Sequence, residues 1–189
     1  MKAIVQSEYG SADVLSLEEL EKPVVADNEV LVRVRSAGVH AGDWHLMRGN
    51  PFLIRLMTGG VLKPKITTIG TDVAGQVEAV GKDIQQFQPG DEVFGDLSEC
   101  GIGAFSEYIS VPESVLVHKP TNLSFEESAT VPVSGLAALQ ALRDSGEIQP
   151  GQRVLINGAS GGVGSFAVQL AKGFGAEVTA VCSTSKIEM

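Results

Sequence analysis

One stretch constrains this chain more than any other: Asn157-Gly158-Ala159-Ser160-Gly161-Gly162-Val163-Gly164. It follows a short apolar run, Arg153 to Asn157 (RVLIN), which has the pattern of a parallel strand buried on both faces. After it, Val163, Phe166, Ala167, Leu170 and Ala171 recur at helix spacing, and Gly173 and Gly175 are stop signals. Glu177 to Cys182 (EVTAVC) reads as another strand, so the order is β-α-β. Aligned with the dinucleotide fingerprint G-x-G-x-x-G, the turn gives Ala159-x-Gly161-x-x-Gly164, with alanine at the first glycine place. Glycine at 161 lets the backbone approach a pyrophosphate, and glycine at 164 lets the helix pack close to the strand. The free N–H groups at the helix start, with the positive dipole end, hold the anion. A glycine cluster alone is often only a loop; strand, turn, helix and strand together point to a dinucleotide site. The residues expected to bind the cofactor here are Ala159, Ser160, Gly161, Gly162, Val163 and Gly164.

The end of the second strand selects between coenzymes. NAD enzymes usually carry a carboxylate about 20 residues on, which holds the ribose hydroxyls. That place holds Cys182-Ser183-Thr184-Ser185-Lys186, with no carboxylate before Glu188. A carboxylate repels a 2′-phosphate, whereas hydroxyls and an ammonium donate to it. NADP(H) is the expected cofactor, with Ser183, Thr184 and Lys186 on its extra phosphate; the competing reading is a solvated loop with an incidental lysine. Residues 1–120 hold 10 basic and 17 acidic groups, net −7, and residues 121–189 hold 4 and 6, net −2. The second segment is the less repulsive place for an anion. The whole chain, at net −9, disfavours a nucleic acid or an anionic membrane as main partner.

The first two thirds read as strands. Val30, Val32 and Val34 alternate with Leu31, Arg33 and Arg35. Thr71 to Gly81, Glu92 to Phe94, Phe105 to Val111 and Val115 to Val117 are further strand candidates, with a turn at Gln88-Pro89-Gly90-Asp91. Short strands at this spacing suggest a small, irregular barrel or sandwich. Near Pro120 the character changes: Ser124 and Glu127 form a capping box ahead of a helix expected from about Phe125 to Ser145. The fold class is therefore α/β with a β-rich N-terminal part, divided into residues 1–122 and 123–189. Two cysteines, Cys100 and Cys182, exclude a multi-disulfide scaffold and a four-cysteine zinc site. Cys182 is expected buried and inert at a strand end, and Cys100 is a loop thiol without an activator. The low cysteine count, the lack of an apolar run of ~20 residues and the polar start of the chain suit a cytoplasmic protein.

The chain resembles the medium-chain dehydrogenase/reductase superfamily, in its zinc-free quinone oxidoreductase-like branch. The resemblance spans the whole chain and rests on the order of Gly38-Val39-His40-Ala41-Gly42-Asp43, Gly70-Thr71-Asp72-Val73-Ala74-Gly75, Gln88 to Val93, Ala104 to Tyr108, Val131 to Gly135 and Gly158 to Gly164. It implies a GroES-like β-barrel followed by a Rossmann domain. Zinc members place a catalytic cysteine where His40 stands and a histidine ligand where Thr71 stands. No zinc is expected, although His40, Asp43 and His45 remain an unusual alternative ligand set. Without a Lewis acid the resemblance implies NADPH-dependent hydride transfer to a conjugated acceptor, a quinone or an activated alkene or carbonyl. The partners implied are a small-molecule substrate and, as an assembly to test, a homodimer.

The resemblance also places Asp43 to Arg48 (DWHLMR) on the acceptor side of the cleft. His40 and His45 are candidate proton or hydrogen-bond donors, each against the commoner structural role of a lone histidine. Arg48 orients substrate or pairs at the surface; Asp43 acts as a base or, more in keeping with its place, caps the short helix. Trp44 and Met47 supply stacking surface or core packing. Thr130 resembles a position near the nicotinamide, its hydroxyl either on the carboxamide or in helix packing. Pro51 to Pro64 is an apolar flap over the acceptor or a partner contact, and His118 is structural. A dinucleotide fold needs two β-α-β-α-β halves, and this chain holds the start of one. It is therefore expected to be part of an enzyme roughly twice as long, with weak NADPH binding and little turnover on its own. An alcohol or aldehyde dehydrogenase of the same superfamily, and a non-catalytic nucleotide-binding protein of the same fold, are the alternatives.

Overall fold

In a computed structural model, residues 1–57, 60–101 and 103–188 are described. They form two compact units, Met1–Pro132 and Val133–Met189.

The first unit opens with a two-stranded antiparallel ribbon, β1 (Lys2–Gln6) with β2 (Leu15–Glu19). Its main sheet contains β3 (Glu29–Gly38), β4 (Asp72–Val80), β5 (Glu92–Asp96), β6 (Tyr108–Pro112) and β7 (Leu116–His118), in the antiparallel order β6-β3-β4-β5-β7. Between β3 and β4 come the helices α1 (Ala41–Arg48) and α2 (Leu53–Met57). The apolar periodicity read from Val30 onward is what the core uses: Val30, Val32, Val73, Val77, Val93, Ile109, Val111 and Leu116 pack around Leu97 and Phe87. Register shifts between Leu31 and Val32 and between Val34 and Ser36 interrupt the β3–β4 ladder. Such bulges bend a strand and increase its twist, which a small wrapped sheet requires. Single bridges, Ala3 to Ser106 and Val5 to Thr68, tie β1 to the rest of the unit.

The helix expected from Phe125 to Ser145 is divided. α3 (Phe125–Ala129) is closed by the Ser124–Glu127 capping box, with both reciprocal bonds present. The chain restarts as α4 (Pro132–Leu139) and widens into a π-helical turn, Gln140–Ser145. Proline lacks an N–H and pushes the preceding residue out of the helical region, so Pro132 can begin a helix but not continue one. α3 packs on β3, β4 and β5, so it lies with the first compact unit. Lys119 anchors the entry to α3: its buried Nζ donates to the carbonyls of Pro120 and Leu123 and lies 3.1 Å from Glu92.

The second unit pairs β8 (Arg153–Asn157) in parallel with β9 (Glu177–Val181) across α5 (Gly162–Gly173). This is the β-α-β order read from sequence. Burial of β8 on both faces does not hold, because Leu155 is 69% exposed while Ile156 is buried. One face of β8 meets α5; among the described residues β9 is its one strand neighbour. Cys182, expected buried, is half-buried just past β9. No described helix is long and apolar enough to cross a membrane.

Candidate functional site

In the second unit the glycine turn joins the C-terminal end of β8 to the start of α5. Gly158 has φ +74°, a left-handed conformation that side-chain-bearing residues rarely adopt. Its N–H and that of Ala159 both donate to the Val181 carbonyl at 3.0 Å, fastening the turn to the end of β9. A Cβ at Gly164 would overlap the Gly158 carbonyl oxygen, so the close helix–strand approach expected there requires glycine. Gly161 N–H donates to Gly158, and Ser165 N–H to Gly161. The N–H groups of Ser160, Gly162, Val163 and Gly164 have no protein acceptor among the described residues. Gly161, Gly162 and Val163 are exposed, so an anion can reach this helix start. Ala159 differs from the others: its methyl is buried and its N–H engaged, so it holds the turn in shape.

Asn157 and Val181 are register partners, and adjacent strands lie about 4.8 Å apart, so the residues after β9 begin beside the turn. Thr184–Lys186 is a single 3-10 turn, entered from Ser183. Ser183 and Ser185 hydroxyls sit 3.3 Å apart, and the Lys186 ammonium makes no ion pair among the described residues. Donors thus cluster at the carboxyl ends of two parallel strands, where open α/β sheets bind ligands.

The second set of expected residues lies on α1 in the first unit. His40 is the N-cap: its Nδ1 accepts from Gly42 N–H at 2.9 Å, and Asp43 Oδ2 accepts from His40 N–H at 2.9 Å. An accepting Nδ1 places the proton of the neutral ring on Nε2, which donates to Thr71 Oγ1 at 2.6 Å. Both ring nitrogens are therefore engaged by the protein. Asp43 is 3% exposed, and its Oδ1 has no partner among the described residues. Burial pushes its carboxyl above the ordinary value, against the lowering pull of the His40 N–H and ring. The capping role read for Asp43 is the one its geometry serves. The spacing His-x-x-Asp ahead of a helix was the sequence signal for His40 as N-cap, hidden because histidine is an uncommon cap.

His45 differs from His40. Its Nδ1 meets the Asn50 carbonyl at 2.7 Å, so Nδ1 carries the proton and Nε2 keeps a free lone pair. Trp44 stands edge-on to it at 4.8 Å, and the Arg48 guanidinium covers the Trp44 ring at 4.7 Å. Met47 is buried, as a core residue. Thr130, the C-cap of α3, donates its hydroxyl to the Glu127 carbonyl at 2.8 Å, leaving only oxygen lone pairs. The Pro51 to Pro64 segment exposes Phe52, Leu53, Leu56, Val61 and Leu62; its Thr58 and Gly59 lie outside the described residues. Tyr9 and Arg55, absent from the residues singled out by sequence, meet beside α1, with Arg55 4.5 Å over the Tyr9 ring. Among the described residues no three His, Cys, Asp or Glu converge as a metal-binding group.

The alcohol dehydrogenase GroES-like domain model matches residues 26–121. Over its full length the chain is 36% identical to the mitochondrial NAD(P)H oxidoreductase RTN4IP1 of Homo sapiens, of which it covers 51%. It superposes on the CurK enoyl reductase with a TM-score of 0.89 and 35% identity, covering 99% of this chain and 55% of that one. On the Escherichia coli quinone oxidoreductase complexed with NADPH the TM-score is 0.86 at 28% identity, covering 100% of this chain and 55% of that one. The chain spans about half the length of the curated relatives it matches. Its architecture is a GroES-like part followed by the start of a Rossmann domain. By its matched domain and its relatives, the chain belongs to the alcohol dehydrogenase GroES-like family, in the quinone oxidoreductase-like branch of the medium-chain dehydrogenases/reductases.

Proposed function

We propose that this chain is the substrate domain (residues 1–122) and the first part of the NADP-binding domain (123–189) of a zinc-independent oxidoreductase. It transfers a hydride from NADPH to a quinone or to a conjugated alkene or carbonyl. The observation that carries this reading is the row of unpartnered amides at Ser160 and Gly162–Gly164 beside the carboxylate-free turn Ser183–Lys186. A pyrophosphate fits the exposed, Cβ-free approach at Gly161 and Gly162, and a 2′-phosphate fits the Lys186 ammonium, which makes no ion pair among the described residues, and its neighbouring hydroxyls.

When bound, the dinucleotide supplies the hydride. The chain's own groups bind and orient. Thr130 keeps lone pairs that accept from a carboxamide NH₂. His45 Nε2 has no partner among the described residues and carries a lone pair in the neutral ring, so His45 passes a proton to a reduced acceptor from there only as the imidazolium. His40 and Asp43 fix the start of α1, and Arg48 presents a cation from its last turn. His40 and Thr71 satisfy each other at the places where zinc members carry ligands, and the acceptor's conjugation takes over the charge delocalisation a Lewis acid would give. The two free thiols suit a reducing compartment such as the cytoplasm.

Following coenzyme oxidation by the polypeptide that contains this chain, with NADPH and NADH against a panel of quinones, enones and simple aldehydes, tests the reading. NADPH-dependent turnover of quinones or enones is the expected result. Turnover confined to simple alcohols or aldehydes, equal use of NADH, or no turnover at all contradicts it. The 189-residue chain alone is expected to bind NADPH weakly and to turn over little.

A further inference from the structure

Beside α1 lies an open pocket of about 430 Å³, lined by Tyr9, Ser11, Arg48, Asn50, Phe52 and Arg55 among others. Its composition is unusual for a chain of net charge −9. Two guanidiniums line it, and neither makes a salt bridge among the described residues. Arg55 is held rigidly: its guanidinium stacks 4.5 Å over Tyr9 and 5.9 Å from Phe52, and Nε donates to the Gly49 carbonyl at 2.9 Å. Tyr9 is fixed in turn by donating its hydroxyl to Gly60 at 2.7 Å. Apart from a long 3.5 Å approach to the Arg48 carbonyl, the terminal nitrogens of Arg55 have no acceptor among the described residues. The carboxylate of Asp13 is engaged with the Ser11 hydroxyl at 2.8 Å. Asn50, another lining residue, gives its carbonyl to His45 Nδ1, so the pocket adjoins the candidate proton donor.

A planar, pre-oriented guanidinium with free N–H donors matches a bidentate anion, and aromatic walls match a flat conjugated ring. We propose that this pocket seats the acceptor, and that the acceptor class is a conjugated ring or enone bearing an anionic substituent, with Arg55 and Arg48 as its specificity residues. The assignment rests on the hydride-transfer reading for the word acceptor. The pocket's preference for an anionic aromatic is measured without any coenzyme, so the two fail separately.

Isothermal titration of the chain with anthraquinone-2-sulfonate and with uncharged 2-(hydroxymethyl)anthraquinone tests it, with inorganic phosphate as a third titrant. The sulfonate is expected to bind about tenfold tighter than the neutral analogue, the scale of one charge-assisted bidentate contact. That preference is expected to vanish in Arg55→Gln, to survive in part in Arg55→Lys, and to shrink in Arg48→Gln, whose exposed side chain carries little of the fold. Circular dichroism of each variant separates lost binding from lost structure. Equal affinity for the two quinones, or a preference unchanged in both glutamine variants, overturns the pocket. Phosphate binding as tightly as the sulfonate overturns its assignment to an aromatic acceptor.

Discussion

The two units of this chain divide their work in opposite ways. The first buries large branched side chains, with Val30, Val32, Val73, Val93 and Leu97 at 1% exposure or less. The second buries Ala138, Ala159, Ala167 and Ala171 around the single larger Ile156. Each buried methylene contributes about 0.8 kcal/mol, so a core of alanines has far less stabilising surface per residue. The small residues of this cluster lie where α5 approaches its strand closely. A helix start that offers bare amides to a phosphate must sit close to its strand, and close approach demands Gly164 and small neighbours. Stability is concentrated where the side chains are large, and the unpartnered amides lie where there are almost none.

The largest expected effect sharpens this contrast. Leu97→Ala in the first core should cost about 3 kcal/mol, whereas Leu155→Ala on the open face of β8 should change stability by less than about 0.5 kcal/mol. Chemical denaturation followed by circular dichroism measures both; equal losses would break the contrast. Next comes the turn. Gly164→Val drives a side chain into the Gly158 carbonyl and should unfold the second unit, while the first keeps its sheet. Hydrogen exchange resolved by segment reads that out. Gly161→Ala is milder: its Cβ meets only the Gly158 oxygen at 3.4 Å, so folding should survive while NADPH binding weakens about tenfold or more, as one lost charge-assisted contact would do. Unchanged binding in a folded Gly161→Ala chain would remove the turn from the site.

A smaller effect belongs to Asp43. Because burial raises its folded value above the ordinary 3.8, the stability linked to it is full below 3.8 and declines as pH rises through the raised value. Asp43→Asn keeps an oxygen for the His40 N–H and removes the buried charge. The wild type minus variant difference in unfolding free energy should therefore fall as pH rises above 3.8. A difference that grows with pH would assign Asp43 a stabilising charge instead. The smallest effect concerns the thiols: burial pushes Cys100 up, so it should react slowly with iodoacetamide at neutral pH, as mass spectrometry of the intact chain would show.

What could be read from sequence follows the same division. The β-α-β order of the second unit was legible, because strand, turn and helix signals there are local: RVLIN, the glycines, and the stop at Gly173 and Gly175, the last at φ +81°. Less legible was whatever depends on distant partners. The exposure of Leu155 is set by the neighbours of β8 and not by its own apolar run. The break at Pro132 was visible as a residue, yet the capping box before it suggested one long helix. His40 was noticed for its chemistry and turned out to have both ring nitrogens bound, one of them to Thr71 across 31 positions of chain. Tyr9 and Arg55 are brought together by tertiary folding alone, and no local spacing announces the pair.

The central claim is that bare amides at Gly162–Gly164 and the Ser183–Lys186 turn together recognise a 2′-phosphorylated dinucleotide. Calorimetric titration of this chain with NADPH and with NADH tests it most directly, repeated in Lys186→Glu. NADPH is expected to bind about tenfold tighter, with the preference abolished by the substitution. NADH binding as tightly as NADPH, or a preference indifferent to Lys186, would contradict it.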